Sequence, residues 1–221
     1  MPLWDELDAP WRACLEEAWT AYCAGSAPIG AVIVDGHGRE LARGRNRRRD
    51  KAKSDGRLAG HALAHAELEA LTSTDCYNGE KATYELYSSM EPCPMCLGAF
   101  YMSGLRTLHY AAPDPWAGAV DLLGTTPYMS RKAIRVERGP EDLALLSLAL
   151  NVESTLRRDT APRAEMFLEV WAAHVPQAVA LGRALLESGE LDRLRREGAT
   201  AAGMVGRVAE LVGPSDMKAA R

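Results

Sequence analysis

The sequence predicts an α/β layered fold followed by an all-helical extension. Two observations carry this. Helical and strand-like segments alternate up to about residue 138, and beyond Gly139-Pro140 the chain turns uniformly rich in Ala, Leu, Arg and Glu. Strands separated by helical crossovers are expected to run parallel and to be covered on both faces.

The elements follow in order. Leu3, Leu7, Trp11, Leu15, Ala18, Trp19 and Tyr22 keep helical spacing, so a helix is expected from about Leu3 to Cys23. Ala31 to Val34 is a short β-branched run, Asp35-Gly36-His37-Gly38 is turn chemistry, and Glu40 to Arg45 can return antiparallel. A turn-rich loop leads to a helix expected over about Gly60 to Thr72, and "ATYELYSSM" alternates like a strand. Cys93 to Ser103 suits a helix, "RTLHYAA" a strand, Trp116 to Leu123 a short helix and "AIRVERG" a last strand. Glu141 to Asn151 opens another helix, Thr160-Ala161-Pro162 reads as a helix cap with an early proline, and Pro176, Gly189 and Gly198 divide the remainder. The expected division is residues 1–151 for the layered domain and 152–221 for the helical extension, with the last residues, "PSDMKAAR", loose. The extension shows no chemical constellation, and packing is its expected role.

Charge and cysteine usage narrow the functional classes. With 26 basic and 30 acidic residues the net charge is −4, which gives no global attraction for nucleic acid. No run of about eighteen apolar residues is present, so no membrane span is expected. The acidic start "MPLWDELDAPW" lacks the basic and apolar regions of a secretory signal, and the expected location is cytoplasmic. Five cysteines in such a context argue against a disulfide framework. Of these, Cys93 and Cys96 form the one close pair.

That pair, with His65 and Glu67, carries the chemistry. A catalytic zinc takes three protein ligands and keeps an open position for water. Cys-x-x-Cys at the start of a helix supplies two thiolates, and the helix N-terminus favours their anionic form. His65 is the third ligand expected from a facing helix. Glu67 needs no contact with the metal: a carboxylate there can move protons between a water and a leaving group. His61 lies four residues before His65 and would share a helix face with it, but it has no Glu two residues later, so His65 is preferred. A dithiol role for Cys93 and Cys96 would leave the upstream His-Ala-Glu unexplained, and a four-ligand structural zinc would need a further ligand that no second Cys-x-x-Cys supplies.

His65-Ala66-Glu67 followed by Pro92-Cys93-Pro94-Met95-Cys96 resembles the signature of zinc-dependent nucleobase deaminases. "PIGAVIVD", the "GRN" ending at Asn46 and "MEPCPMCLGAFYMSGLRTLHYAAPD" are similar to the branch of the cytidine/deoxycytidylate deaminase-like superfamily that holds tRNA adenosine deaminases and bacterial guanine deaminases. The resemblance runs from about Ala18 to Asn151. It implies a three-layer α-β-α fold around a five-stranded mixed sheet, Zn2+ held by His65, Cys93 and Cys96, and Glu67 as proton carrier. It also implies substrate contacts from Asn46, the backbone at Ala66 and Asp114, and a homodimer. The connection from Asn46 to His65, nineteen positions, is longer than the branch leads one to expect.

For the substrate the residues point two ways. Arg43 to Arg57 holds eight basic and two acidic residues, which reads either as a solvated loop or as a phosphate-facing lip. It lacks aromatic residues to stack bases. A free base or nucleoside is therefore favoured, a purine such as guanine first and a cytosine or adenine compound next. Adenosine in tRNA is the alternative. A non-catalytic zinc-stabilised interaction domain is a third reading, against which Glu67 speaks, since such a domain has no use for a carboxylate there.

Overall fold

The computed structural model describes residues 4–51, 56–159 and 161–212. Five strands form one sheet in the order β2-β1-β3-β4-β5, with β1 Gly30–Val34, β2 Glu40–Arg45, β3 Glu85–Met90, β4 Thr107–Ala112 and β5 Arg135–Arg138. β1 pairs antiparallel with β2 and β3, while β3, β4 and β5 run parallel, so the sheet is mixed as expected. The β1–β2 turn is set by Asp35, whose carboxylate accepts the His37 and Arg39 backbone N–H groups at 2.9 and 3.0 Å. Gly38 supplies the left-handed residue that closes it, at φ 78°.

Strand burial explains the layers. β1 and β4 are buried along their whole length, as strands covered on both faces are. On one face Val32 and Val34 of β1 pack against α1 (Ala9–Cys23) through Trp11 and Leu15, and against α4 (Glu141–Arg158) through Leu143 and Leu150. On the other face Ala31 and Ile33 meet α2 (Ala66–Thr72) and α3 (Pro94–Ser103) through Ala66, Ala70, Leu97 and Phe100. The successive β1 residues thus feed opposite cores, which is the pleat's period of two. β5, "RVER", is the exposed edge, and its charges suit that position.

Three expectations change in detail. The first helix begins at Ala9 after a 3-10 turn over Trp4–Glu6, and its expected first residue, Leu3, lies outside the described residues. Residues 116–123 contain only a 3-10 turn, Val120–Leu122, rather than a helix. α2 begins at Ala66 and not near Gly60, because residues 60–65 form turns in which Gly60 takes φ 60° and His65 an extended conformation. His61 and His65 therefore do not share a helix.

The extension consists of α5 (Ala161–His174), α6 (Pro176–Ser188), α7 (Glu190–Arg196) and α8 (Ala201–Val212). The division expected after Asn151 falls inside α4, which continues unbroken to Arg158. The added helices are built into the core: Leu185, Leu191 and Val205 join the α1 cluster, and Leu168, Trp171 and Val179 pack on Met90 and Ala112 at the ends of β3 and β4. Trp19 Nε1–H donates to the Ala199 carbonyl at 2.7 Å, fastening α1 to the far end of the chain. Thr160 and the terminal "PSDMKAAR" lie outside the described residues. Among the described residues no helix is long and apolar enough to cross a membrane.

Candidate metal centre and its cavity

Two helix starts meet at the ends of the central strands. β3 ends at Met90, and Glu91-Pro92 carries the chain to Cys93, which precedes α3 in an extended conformation at φ −69°, ψ 169°. Pro94 occupies the first helical turn, where its missing N–H costs nothing. His65 stands in the same relation to α2, at φ −91°, ψ 154°. α2 lies very close to β2 because Gly44 has no side chain: a Cβ there would fall 2.1 Å from the Ala66 carbonyl oxygen.

This brings three donor atoms together. His65 Nδ1 lies 3.7 Å from Cys93 Sγ and 3.5 Å from Cys96 Sγ, and the two sulfurs are 3.6 Å apart. Zinc bonds of about 2.3 Å to sulfur and about 2.0–2.1 Å to nitrogen, at tetrahedral angles, put ligand atoms about 3.5–3.8 Å from one another. The observed triangle has those edges. Among the described residues the metal-competent group has these three members, so a fourth side chain does not fill the remaining corner.

The electrostatics suit the same use. Cys93 is pulled down to about 4, first by its hydrogen bond with Cys96 and then by His65. Cys96 is pushed up by that same bond and by burial. The hydrogen bond to Cys93 raises His65. Glu67, in the first turn of α2, is buried, which raises its carboxyl above the ordinary range. Its Oε1 accepts a hydrogen bond from Ser88 Oγ of β3 at 3.3 Å.

The triangle opens onto a cavity of about 710 Å3 lined by His65, Glu67 and Cys93. Asn46 and Asp114 line it as expected. The Asn46 Oδ1 accepts the Arg48 backbone N–H at 3.1 Å, and its Nδ2 has no acceptor among the described residues. Asp114 accepts the Trp116 and Ala117 N–H groups, and burial raises its pKa. Ala66 is buried against Gly44 and is not among the residues lining the cavity. His61 is exposed at the rim, its Nδ1 accepting the Leu63 N–H.

The sequence reaches the opposite wall only in part, through a helical tail that could cover the site's approach and through Trp116, which could stack on a base. Asn151, Thr155 and Arg158 of α4 line it, as do Phe167 and Trp171 of α5. Trp116 extends this aromatic wall, its ring 5.8 Å from that of Phe167, which lies 4.6 Å from Trp171. The extension therefore shapes the site as well as packing on the core. Its one sequence signal is the spacing 151, 155, 158, which places three polar side chains on one helix face.

Most of the basic stretch is neutralised. Arg45 and Arg47 pair with Asp50, Arg57 with Glu69, and Arg43 with Glu16 and Glu40. Residues 52–55 of that stretch lie outside the described residues.

Comparison with known proteins agrees with this geometry. The family model for the cytidine and deoxycytidylate deaminase zinc-binding region matches residues 6–112. A tRNA-specific adenosine deaminase of Rickettsia bellii is 33% identical over 112 residues, 50% of this chain and 72% of that one. The chain belongs to the cytidine and deoxycytidylate deaminase family. A tRNA-specific adenosine deaminase of Bacillus subtilis is 36% identical over 48% of this chain and 62% of its own length. Among solved structures, a guanine deaminase from Nitrosomonas europaea is 27% identical, with TM-score 0.51 over 67% of this chain and 85% of that one. The family's zinc chemistry makes this deaminase a hydrolase, and His65, Cys93 and Cys96 form a site able to hold the ion. The α4 and α5 wall lies beyond the stretch that the family model matches.

Proposed function

We propose that this deaminase acts on a small purine base or nucleoside, guanine or its nucleoside first. The observation that supports this is the wall: α4 and α5 of the same chain turn the metal site into a recess of about 710 Å3, within the range of about 300–1,000 Å3 usual for small-molecule sites. Trp116 and Phe167 offer flat apolar surface to a heterocycle, and Asn46 a hydrogen bond to its edge. The structural likeness to a guanine deaminase points the same way.

His65, Cys93 and Cys96 would hold a zinc ion, which would supply Lewis-acid activation of a water near neutral pH. Glu67 carries the water's first proton to a ring nitrogen and its second to the departing amine. A carbon–oxygen bond forms, the carbon–nitrogen bond breaks, and ammonia leaves. Burial of Glu67 helps, since it raises the carboxyl's pKa and so makes it a better proton acceptor than an exposed carboxylate. The Ser88 hydroxyl fixes the carboxyl's orientation. The homodimer that the resemblance implies belongs to the same proposal, and light scattering on the purified protein tests it.

A second reading, deamination of adenosine in tRNA, is favoured by the names of the relatives at 33% and 36% identity. The pairing of Arg43, Arg45, Arg47 and Arg57 with carboxylates weighs against it, because a cation already paired contributes less to following a phosphate backbone. Ammonia release from guanine, adenine, cytosine and their nucleosides tests the proposal. Turnover confined to tRNA, with binding that weakens steeply as salt rises, would replace it with the second reading.

A further inference from the structure

One carboxylate holds the connection from Asn46 to His65 together at its root. Arg45 grips Asp50 with both terminal nitrogens, Nη1 to Oδ1 at 3.1 Å and Nη2 to Oδ2 at 2.6 Å. Arg47 Nε lies 3.3 Å from the same Oδ2, and Ser26 Oγ donates to Oδ1 at 3.3 Å. The side chains of Arg45, Arg47 and Asp50 are only 11–13% exposed, so water screens these charges little. Residues 45 and 47 flank Asn46, so a single acid clamps the chain on both sides of the expected substrate contact.

The clamp reaches the metal ligand through the backbone. Arg47 N–H donates at 2.9 Å to the carbonyl of Ala64, the residue before His65. The Arg47 carbonyl accepts the N–H groups of Gly60 and Asp50 at 2.9 and 3.2 Å. Gly60 also lies against Asp50, where a Cβ would fall 2.9 Å from the Asp50 carbonyl oxygen. On α2, one turn beyond His65, Glu69 accepts the Arg45 backbone N–H at 2.9 Å and a hydrogen bond from Arg57 at 2.7 Å. Asn46 is nearly fully engaged within this frame. Its N–H donates to the Ile29 carbonyl at 2.9 Å, its carbonyl accepts from Arg45 Nη1 at 3.4 Å, and its Oδ1 accepts the Arg48 N–H at 3.1 Å. Its Nδ2 has no acceptor among the described residues, and the residue lines the cavity.

Resting on the deaminase reading above, we propose that Asp50 is a positioning residue that acts on the substrate through Asn46. Arg45 and Arg47 then serve inward, as counter-charges that hold Asp50, which is neither a solvated loop nor a phosphate-facing lip. The need for a clamp follows from length. Nineteen positions separate Asn46 from His65, and an amide that meets one edge of a heterocycle must have its direction fixed. A neutral residue at position 50 would leave two nearly buried guanidinium groups side by side, and their repulsion would displace the chain around Asn46. His65 has α2 behind it and Cys93 and Cys96 beside it, whereas Asn46 follows the last residue of β2 and depends on the clamp. The effect therefore falls on substrate binding before it falls on the metal.

The test is a double-mutant cycle on the zinc-loaded full-length protein, with the base or nucleoside of the panel above that the wild type deaminates fastest. Asp50→Asn is expected to raise KM about three- to tenfold, the worth of one hydrogen bond to the substrate. Its kcat should stay within about twofold and its zinc content unchanged, because an interaction lost equally from ground and transition states moves KM alone. Asn46→Ala is expected to raise KM by a similar factor, and adding Asp50→Asn to it to change KM by less than about twofold. Ser26→Ala removes a single neutral hydrogen bond from the carboxylate and keeps the cycle open where Asp50→Asn fails to fold. It is expected to raise KM about two- to threefold in the wild-type background and to leave KM unchanged in Asn46→Ala. A purely structural Asp50 would lower Tm in both backgrounds without this dependence on Asn46. Equal KM increments in the two backgrounds, an unchanged KM, or a loss confined to kcat would overturn this inference and leave small-molecule deamination standing. Wild-type protein that releases no ammonia from any base or nucleoside would overturn the reading itself, and this inference with it.

Discussion

Gly44→Ala is the sharpest probe of how the fold positions the chemistry. The substitution adds one methyl group on β2, at a residue that does not line the cavity. That Cβ would sit 2.1 Å from the Ala66 carbonyl oxygen and 2.5 Å from the Ala70 nitrogen, where ordinary contact begins at 3.4 Å. Both neighbours are backbone, so no side chain can swing aside, and α2 must retreat by about 1.3 Å, the difference between 3.4 and 2.1 Å. Overpacking of this kind costs about 1–3 kcal/mol. At about 2–4 °C per kcal/mol for a chain of this size, Tm should fall by roughly 2–12 °C. α2 also carries Glu67 and starts at His65, so the imidazole and carboxyl move with it while Cys93 and Cys96 stay on α3. Misplacement by about 1 Å costs about a hundredfold in rate. Thermal unfolding, zinc stoichiometry and ammonia release measure the three effects. Gly98→Ala is the control: it lies in α3, nothing stands within 4 Å of the added Cβ, and helix propensity predicts a gain of up to about 1 kcal/mol. A Gly44→Ala protein matching wild type in Tm, zinc content and rate would refute the claim that this contact sets the site.

Glu67→Gln should lower ammonia release by at least about 10²–10⁴-fold while zinc content stays stoichiometric; loss of zinc in that variant would make Glu67 a ligand. Zinc added to chelator-treated protein should raise Tm, by the equivalent of about 2.7 kcal/mol at a hundred times the dissociation constant, and an unchanged Tm would show that the Cys93–Cys96–His65 cluster holds no metal. Hydrogen bonds from Arg193 and then Arg207 lower Glu190 to about 2. Because the folded pKa lies below the unfolded value of about 4.3, its contribution is complete above that value and disappears as pH falls towards 2. The Tm gap between wild type and Glu190→Gln should therefore be wide at pH 5 and narrow at pH 3, and a constant gap would contradict the pairing.

What could be read from the sequence was local. Each of the metal ligands sits beside a helix start, and His-x-Glu and Cys-x-x-Cys fix their own spacing, so the triangle followed from two short stretches. The β1–β2 hairpin was legible for the same reason, through Asp35 and Gly38. The start of α2 was misplaced because residues 60–65 keep helical spacing of their histidines while Gly60 adopts a left-handed conformation that ends any helix there. The cavity wall was legible only in part because it depends on where α5 lands. Phe167 and Trp171 look like packing residues in the sequence, and Trp171 is 1% exposed, yet its position against α4 also makes it a lining residue. Only the 151, 155, 158 spacing on α4 hinted at a polar face.

The unbroken course of α4 decides what kind of wall this is. A lid would be joined through flexible residues and would bury little. Here the helix that packs Leu143 and Leu150 against the sheet continues without interruption to Arg158, and α6 crosses it so closely that a Cβ at Gly182 would fall 2.5 Å from Val152. Leu168 and Trp171 then anchor α5 to Met90 and Ala112, at the ends of the two strands that lead into the site. Distances from the metal ligands to Arg158 are thus fixed by the core and not by a hinge, which is what discrimination between substrates of different length requires. Trp171 Nε1 is buried with no acceptor among the described residues, a condition that costs about 1–3 kcal/mol.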